Sequence, residues 1–370
     1  MESLRDRVGS LFDELLTARQ QMRRSQPQPG AFEAWASEGK SFARAVLGLE
    51  DLPAAVLAEV QSEEIQAGVR RRTLRYQTAL GSWANADLLL PPSGTGPFPG
   101  VVLLHEHGGN YLWGRRSLVE EEKAPAALME WQQLCYGGNA IGPALARQGF
   151  AVLAADALLF GDRRIHFDDE PSLSNPQRQQ ELNKRLWHHE ETVQRALAAL
   201  GTSLARVITQ DDVRAVSLLA QQPEVDSSRL AALGFSFGGY RALQLYGLDD
   251  RIGCAASLCG LTDFAAALDG PFYGGVGFTM LEAALLARYS TADIASFGAP
   301  KPLLVLLGET DALYPGSARD QALETLRRRF AEAGAQEALT GAVVEGGHHF
   351  GKRRQAQVFP WLVRQLYVGG

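Results

Sequence analysis

The sequence predicts an α/β fold built on a mostly parallel central sheet with helices on both sides. Three observations carry that prediction. Short apolar runs at 101–104, 151–155, 230–233, 254–258, 303–307 and 342–344 are bounded by turn residues, the pattern of strands covered on both faces. Helical patterns separate these runs, which implies right-handed crossovers between parallel strands. Ahead of them, 69–77 and 83–90 read as two strands around a turn at 79–82, and a Pro/Gly-rich stretch from Pro91 to Pro97 closes that unit.

An antiparallel entry followed by a parallel sheet is the layout of the α/β-hydrolase fold. Residues 1–67 read as an N-terminal helical extension. Leu4, Val8, Leu11, Phe12, Leu15 and Leu16 fall at helical spacing within 4–24, and Pro27-Gln-Pro-Gly30 breaks the pattern. A second helical stretch covers 31–60, interrupted near Pro53. Apolar stripes of this kind need cover. The catalytic domain or a second copy supplies it, so these helices are the expected contact of a homo-oligomer. Residues 68–370 make the catalytic domain. Two of its connections, 109–140 and 157–205, exceed ordinary loop length and read as lid-like insertions.

With 370 residues, 46 % hydrophobic and 21 % charged, the chain can bury a sizeable core without disulfides or metals. A formal net charge of −6, with only short arginine clusters, gives nucleic-acid binding no electrostatic support. The N-terminus lacks the apolar core of a secretory signal, and no apolar run is long enough to span a bilayer. A cytoplasmic protein without membrane contact is expected. Cys135, Cys254 and Cys259 lack C-x-x-C spacing and read as buried thiols in a reducing compartment.

The sharpest local signal is Gly234-Phe-Ser236-Phe-Gly238-Gly239, placed between the strand at 230–233 and a helix at 240–246. Strand, tight turn and helix are the context that a G-x-S-x-G nucleophile elbow requires. A side chain at position 234 or 238 would collide with neighbouring backbone, hence the two glycines. The helix directs its positive end at the serine, and the Phe237 amide can serve as half of an oxyanion hole.

A serine hydroxyl needs a base, and the base needs an orienting carboxylate, in this fold in the order Ser, Asp or Glu, His. After Ser236 only His348 and His349 remain. His348 is the expected base, because His349 and Phe350 open the closing helix. Asp311, in Gly308-Glu-Thr-Asp311 past the strand at 303–307, is the expected acid, with Glu309 and Asp263 as competitors. The strand at 101–104 ends in His105-Glu-His107-Gly108-Gly109, a turn that supplies the second oxyanion amide from His107 or Gly109. His105, His107, His188 and His189 also invite a metal reading. The Gly-Gly turn already has a role and no further His or Asp follows at ligand spacing, so neither metal nor cofactor is expected. Asp156, Gly161, Asp162 and Arg163 read as fold-holding residues of a tight turn.

At these residues the chain resembles the α/β-hydrolases of the dienelactone hydrolase and acetyl xylan esterase-like group. The resemblance runs through His105-Glu-His-Gly-Gly, 156–163, Asp212-Val-Arg-Ala-Val-Ser-Leu-Leu, Pro223-Glu-Val-Asp226, the Ser236 elbow, Gly308-Glu-Thr-Asp and Gly347-His-His-Phe, over roughly 68–367. It implies Ser236, Asp311 and His348 as a triad and a cofactor-free ester hydrolase acting through an acyl-enzyme. There are two departures: Glu106 stands where many hydrolases have glycine, and dienelactone hydrolases proper use cysteine where this chain has Ser236. Prolyl-oligopeptidase-like peptidases share the triad order but carry a large β-propeller that the residues ahead of the sheet do not supply. A non-catalytic hydrolase-fold binding protein would have no need of all three residues. Tyr111, Trp113, Trp131 and Tyr136 in one insertion, Trp187 in the other, and Phe235 and Phe237 beside the serine predict a small apolar pocket. Short, acetyl-like acyl groups are therefore the expected substrates.

Overall fold

The computed structural model describes residues 10–22, 27, 30–66, 68–170, 173, 176–269 and 275–368. Nine strands form one sheet: β1 (Ala58–Gln66), β2 (Val69–Gln77), β3 (Trp83–Leu90), β4 (Phe98–Leu104), β5 (Ala151–Ala155), β6 (Val225–Phe235), β7 (Ile252–Leu258), β8 (Leu303–Gly308) and β9 (Leu339–Val344). Their spatial order is β1-β2-β3-β5-β4-β6-β7-β8-β9. Pairing is antiparallel from β1 to β5 and parallel from β5 to β9. This is the predicted α/β-hydrolase architecture.

Side-chain alternation along the central strands divides the core in two. On β6, Leu230 and Ala232 join one apolar cluster, while Ala231, Leu233 and Phe235 join the other. The first face is covered by α2 (Phe32–Leu47), α6 (Leu204–Ala220), α7 (Phe237–Leu248), α8 (Thr291–Ser296) and α9 (Gly316–Glu332). The second is covered by α4 (Ile141–Ala146) and α10 (Lys352–Val363). The two insertions carry α3 (Ala126–Tyr136) and α5 (Pro176–Ala199) and build a third apolar cluster above the strand ends.

The N-terminal expectation needs one correction. Residues 58–66 are not helical but form edge strand β1. Its Glu- and Gln-rich sequence has little strand propensity, and pairing decides. Glu63 lies opposite Arg72 in register, and the two join at 2.7 Å. The first helix, α1 (Ser10–Met22), leaves Leu11 and Leu15 about half exposed. Leu4 and Val8 lie outside the described residues. Helix α2 does dock: Trp35 stands 5.9 Å from Tyr289 and 5.4 Å from Phe297, ring to ring, and the Arg329 guanidinium covers it at 4.3 Å.

Candidate active site

Ser236 sits at the junction of β6 and α7 with φ 57° and ψ −122°, a conformation that a non-glycine residue holds only under constraint. Its neighbours explain the constraint. A Cβ on Gly234 would stand 2.1 Å from the Gly238 carbonyl oxygen, and one on Gly238 would stand 2.0 Å from that of Leu104. Two glycines thus let the turn press against β4. The Ser236 amide donates to Leu258 O at 2.7 Å, which ties the turn to β7.

The parallel strands end at the same edge of the sheet, and their loops bring the predicted residues together. Ser236 Oγ lies 2.7 Å from His348 Nε2, and His348 Nδ1 lies 2.6 Å from Asp311 Oδ2. Asp311 also accepts the Leu313 amide at 3.0 Å. Burial would push its carboxyl up, yet the hydrogen bonds and the facing His348 hold it below the usual carboxylate range. Burial likewise favours neutral imidazole at His348. The Asp311 hydrogen bond, together with the side chain of Cys259, outweighs this and raises the ring to about 9.

The competitors stand elsewhere. Glu309 is exposed, Asp263 caps the backbone amides of Ala265 and Ala266, and His349 Nδ1 accepts from the Gly351 amide. Asp156 accepts from the Arg115 and Asp162 amides and pairs with the Arg115 guanidinium, and Arg163 pairs with Asp211 at 2.8 Å. A Cβ on Gly161 would meet Asp156 Oδ1 at 2.3 Å. This turn holds the fold, as its sequence suggested.

Of the oxyanion candidates, the Phe237 N–H opens α7 and so has no helical acceptor one turn back. Gly109 is different: its N–H donates to His107 Nδ1 at 3.0 Å. That engagement leaves the His107 amide as the candidate donor of this turn. Because Nδ1 accepts, the ring proton of His107 sits on Nε2, where it is donated to Glu190 Oε2 at 2.9 Å. Tyr111 donates its hydroxyl to the same oxygen at 2.5 Å. The His105 ring is also engaged, through Nδ1 with Glu106 O and through Nε2 with the Ala157 amide, so both of its nitrogens, like those of His107, already have hydrogen-bond partners.

Sequence reasoning missed Glu190, which is one of two adjacent glutamates on a polar helix with nothing local to single it out. It also missed the purpose of Glu106. That buried carboxylate accepts from Trp131 Nε1 at 2.5 Å, from Ser117 Oγ at 3.1 Å and from the Tyr136 hydroxyl, fastening α3 to the turn after β4.

A cavity of about 190 Å³ adjoins Ser236, walled by Phe237, Trp187, Met280, Leu313, Tyr314 and His107. Of the aromatic residues expected there, Trp187 and Phe237 line it. Tyr111 instead stacks on Phe160 at 5.0 Å, Tyr136 binds Glu106, and Phe235 lies behind the His348 ring at 4.9 Å. Trp113 and Trp131 border a second, larger space of about 550 Å³ between α3 and α5, which meets the first at Gly108, Gly109 and Trp187.

The profile of the dienelactone hydrolase family matches residues 136–350. The chain is 26 % identical over 268 residues to YtaP of Bacillus subtilis (strain 168), provisionally described as a hydrolase, covering 72 % of this chain and 78 % of that one. A Bacteroides fragilis NCTC 9343 protein, provisionally described as an acetyl xylan esterase, superposes with a TM-score of 0.67 at 16 % identity, over 89 % of this chain and 81 % of that one. A glucuronoyl esterase from Teredinibacter turnerae T7901 gives 0.57 at 14 % identity, over 89 % and 85 %. At those identities the two structures share the fold. The profile match spans more than half of the chain and contains both Ser236 and His348, and on that match this protein belongs to the dienelactone hydrolase family.

Proposed function

We propose that the protein is a serine carboxylic-ester hydrolase that works through an acyl-enzyme and takes short acyl groups. The observation that carries this reading is the unbroken hydrogen-bond chain Ser236–His348–Asp311, with links of 2.7 and 2.6 Å, at a strained strand–helix turn. In this mechanism His348 Nε2 takes the Ser236 proton as Oγ attacks the ester carbonyl, and Asp311 keeps the ring oriented. The Phe237 and His107 amides receive the oxyanion. His348 then protonates the departing alcohol, and water repeats the sequence to release the acid.

The 190 Å³ cavity is the acyl pocket of this reading, since its size and largely apolar walls suit an acyl group of a few carbons. The 550 Å³ groove takes the alcohol. Trp131 and Trp187 on its walls, with Gln179, Gln180 and Asn183 between, suit a ring-shaped, hydroxyl-bearing alcohol. Structural neighbours named as acetyl xylan and glucuronoyl esterases agree with such an ester. The buried free thiols Cys135, Cys254 and Cys259 suit a reducing compartment, so the cytoplasm is the proposed site of action. Among the described residues no helix is long and apolar enough to cross a membrane.

The test is covalent labelling and turnover together. A fluorophosphonate should label Ser236, and Ser236→Ala should lose label and about 10³-fold or more of ester hydrolysis while unfolding at nearly the same temperature. Across acetyl, butyryl, octanoyl and palmitoyl esters of one alcohol, kcat/KM should peak at acetyl or butyryl. Absence of labelling would favour a non-catalytic binding protein, and a maximum at octanoyl or longer would reject the closed pocket.

A further inference from the structure

Cys259 follows β7 directly and is 1 % exposed. Its Sγ, a ring nitrogen of His348 and a carboxylate oxygen of Asp311 all lie within 4.8 Å of one another, and His348 Nδ1 is the nitrogen that faces Asp311 Oδ2 at 2.6 Å. Among the described residues no other three His, Cys, Asp or Glu side chains converge in this way. The mechanism above uses Asp311 and His348 but leaves the thiol without a task.

We infer that Cys259, Asp311 and His348 form an inhibitory site for zinc(II) or a divalent cation of similar softness. A thiolate sulfur, an imidazole nitrogen and a carboxylate oxygen are the donor set that zinc prefers, and three protein ligands leave a fourth position for water. Metal–ligand bonds of about 2.0–2.3 Å place tetrahedral ligand atoms about 3.3–3.7 Å apart. To reach that spacing the His348–Asp311 pair opens from 2.6 Å, and the sulfur already lies within 4.8 Å of both. Thiolate and carboxylate together balance the two positive charges.

A second observation points the same way. Arg354 is 2 % exposed, and its guanidinium donates to Cys259 Sγ at 3.3 Å and to the carbonyl oxygens of His349 and Glu345. No carboxylate faces it among the described residues. A buried cation whose one side-chain partner is a sulfur supplies an N–H···S bond of the kind that supports a metal-bound thiolate.

The consequence for catalysis follows from where the ring carries its proton. With Nδ1 free of metal, that nitrogen holds the proton for Asp311 and Nε2 is open to receive the one from Ser236. With the metal on Nδ1, the single imidazole proton resides on Nε2, facing Ser236 Oγ. The thiol proton leaves to solvent; the neutral ring keeps its one proton, and an imidazolium releases its Nδ1 proton to solvent as well. Nε2 then has no lone pair to offer, and the serine stays protonated. The cation silences the enzyme from behind the base, without contact with the nucleophile.

The inhibition rests on the reading of His348 as the base, whereas metal binding does not, and the experiment separates the two. Zinc chloride is titrated into the full chain while fluorophosphonate labelling and ester hydrolysis are followed, in wild type, Cys259→Ser and Cys259→Ala. Low-micromolar zinc should suppress both activities in the wild type and EDTA should restore them, whereas each variant should require at least about tenfold more zinc. Cobalt(II) provides a readout independent of activity: a thiolate-to-cobalt charge-transfer band in the wild type, absent from both variants. Equal zinc sensitivity in all three proteins, or a wild type without that band, would overturn the site. A cobalt band in a protein that neither labels nor hydrolyses esters would keep the metal site and reject the esterase reading.

Discussion

Glu190, from the insertion helix α5, accepts the Nε2 proton of His107 at 2.9 Å, and His107 in turn accepts the Gly109 amide at 3.0 Å. A buried carboxylate on this insertion therefore holds the turn whose amide is proposed to bind the oxyanion. Burial alone would push the Glu190 carboxyl up, but hydrogen bonds from His107 and Tyr111 outweigh it and hold the group below its usual range, hence ionised. Removing it frees the turn without touching substrate. Glu190→Ala should lower kcat by about tenfold or more with KM changed less than about threefold. Glu190→Gln, which keeps one acceptor, should recover part of the loss. Steady-state kinetics decide it, and an unchanged kcat would show that the turn stands without its latch.

The pH profile follows from His348. The base must be neutral to accept the Ser236 proton, and its pKa is raised to about 9, so activity should rise as pH rises through that value. An unperturbed imidazole would place that rise near neutrality. The difference comes from the Asp311 hydrogen bond. A raised histidine also stabilises the fold, fully below about 6.5 and progressively less as pH climbs through the folded value. Measuring kcat/KM from pH 5 to 10 settles the matter. A midpoint near 6.5 would mean that Asp311 does not hold the imidazolium, and EDTA should leave the plateau intact.

At the elbow, Gly238→Ala should destabilise by about 3 kcal/mol or more, since the new methyl would overlap the Leu104 carbonyl oxygen in a packed core. The comparison is Gly253→Ala on β7, where the nearest atom to the added carbon, Leu230 O, is 3.6 Å away. That variant should melt close to the wild type. Thermal unfolding of the two reads the difference directly.

The two N-terminal helices should respond differently to deletion. Trp35→Ala in α2 leaves a hole beside Tyr289 and Phe297 and should cost about 3–5 kcal/mol. Deleting residues 1–24 removes α1, whose Leu11 and Leu15 are about half exposed, and the melting temperature should hold. Light scattering should show a smaller assembly after that deletion, because exposed apolar stripes join copies of a chain. An unchanged mass would exclude α1 as the contact.

The sequence by itself determined the sheet from β2 to β9, the elbow and the order Ser236, Asp311, His348. Each of these is written locally: apolar runs of strand length, glycines where a turn allows no Cβ, and a carboxylate and a histidine just past strand ends. Tertiary structure decided the rest. Residues 58–66 became a strand because β2 offers them a backbone ladder to pair with, with Glu63 beside Arg72 in register, not because of their own propensity. Tyr111 and Tyr136 turned from the expected pocket wall into the hydrogen-bond supports of Glu190 and Glu106. Glu190 and Cys259 gained importance from residues 83 and 89 positions away along the chain, His107 and His348. Periodicity records which face of an element is buried. It does not record which distant side chain will meet a given carboxylate or thiol there, because that meeting is set by the packing of whole elements.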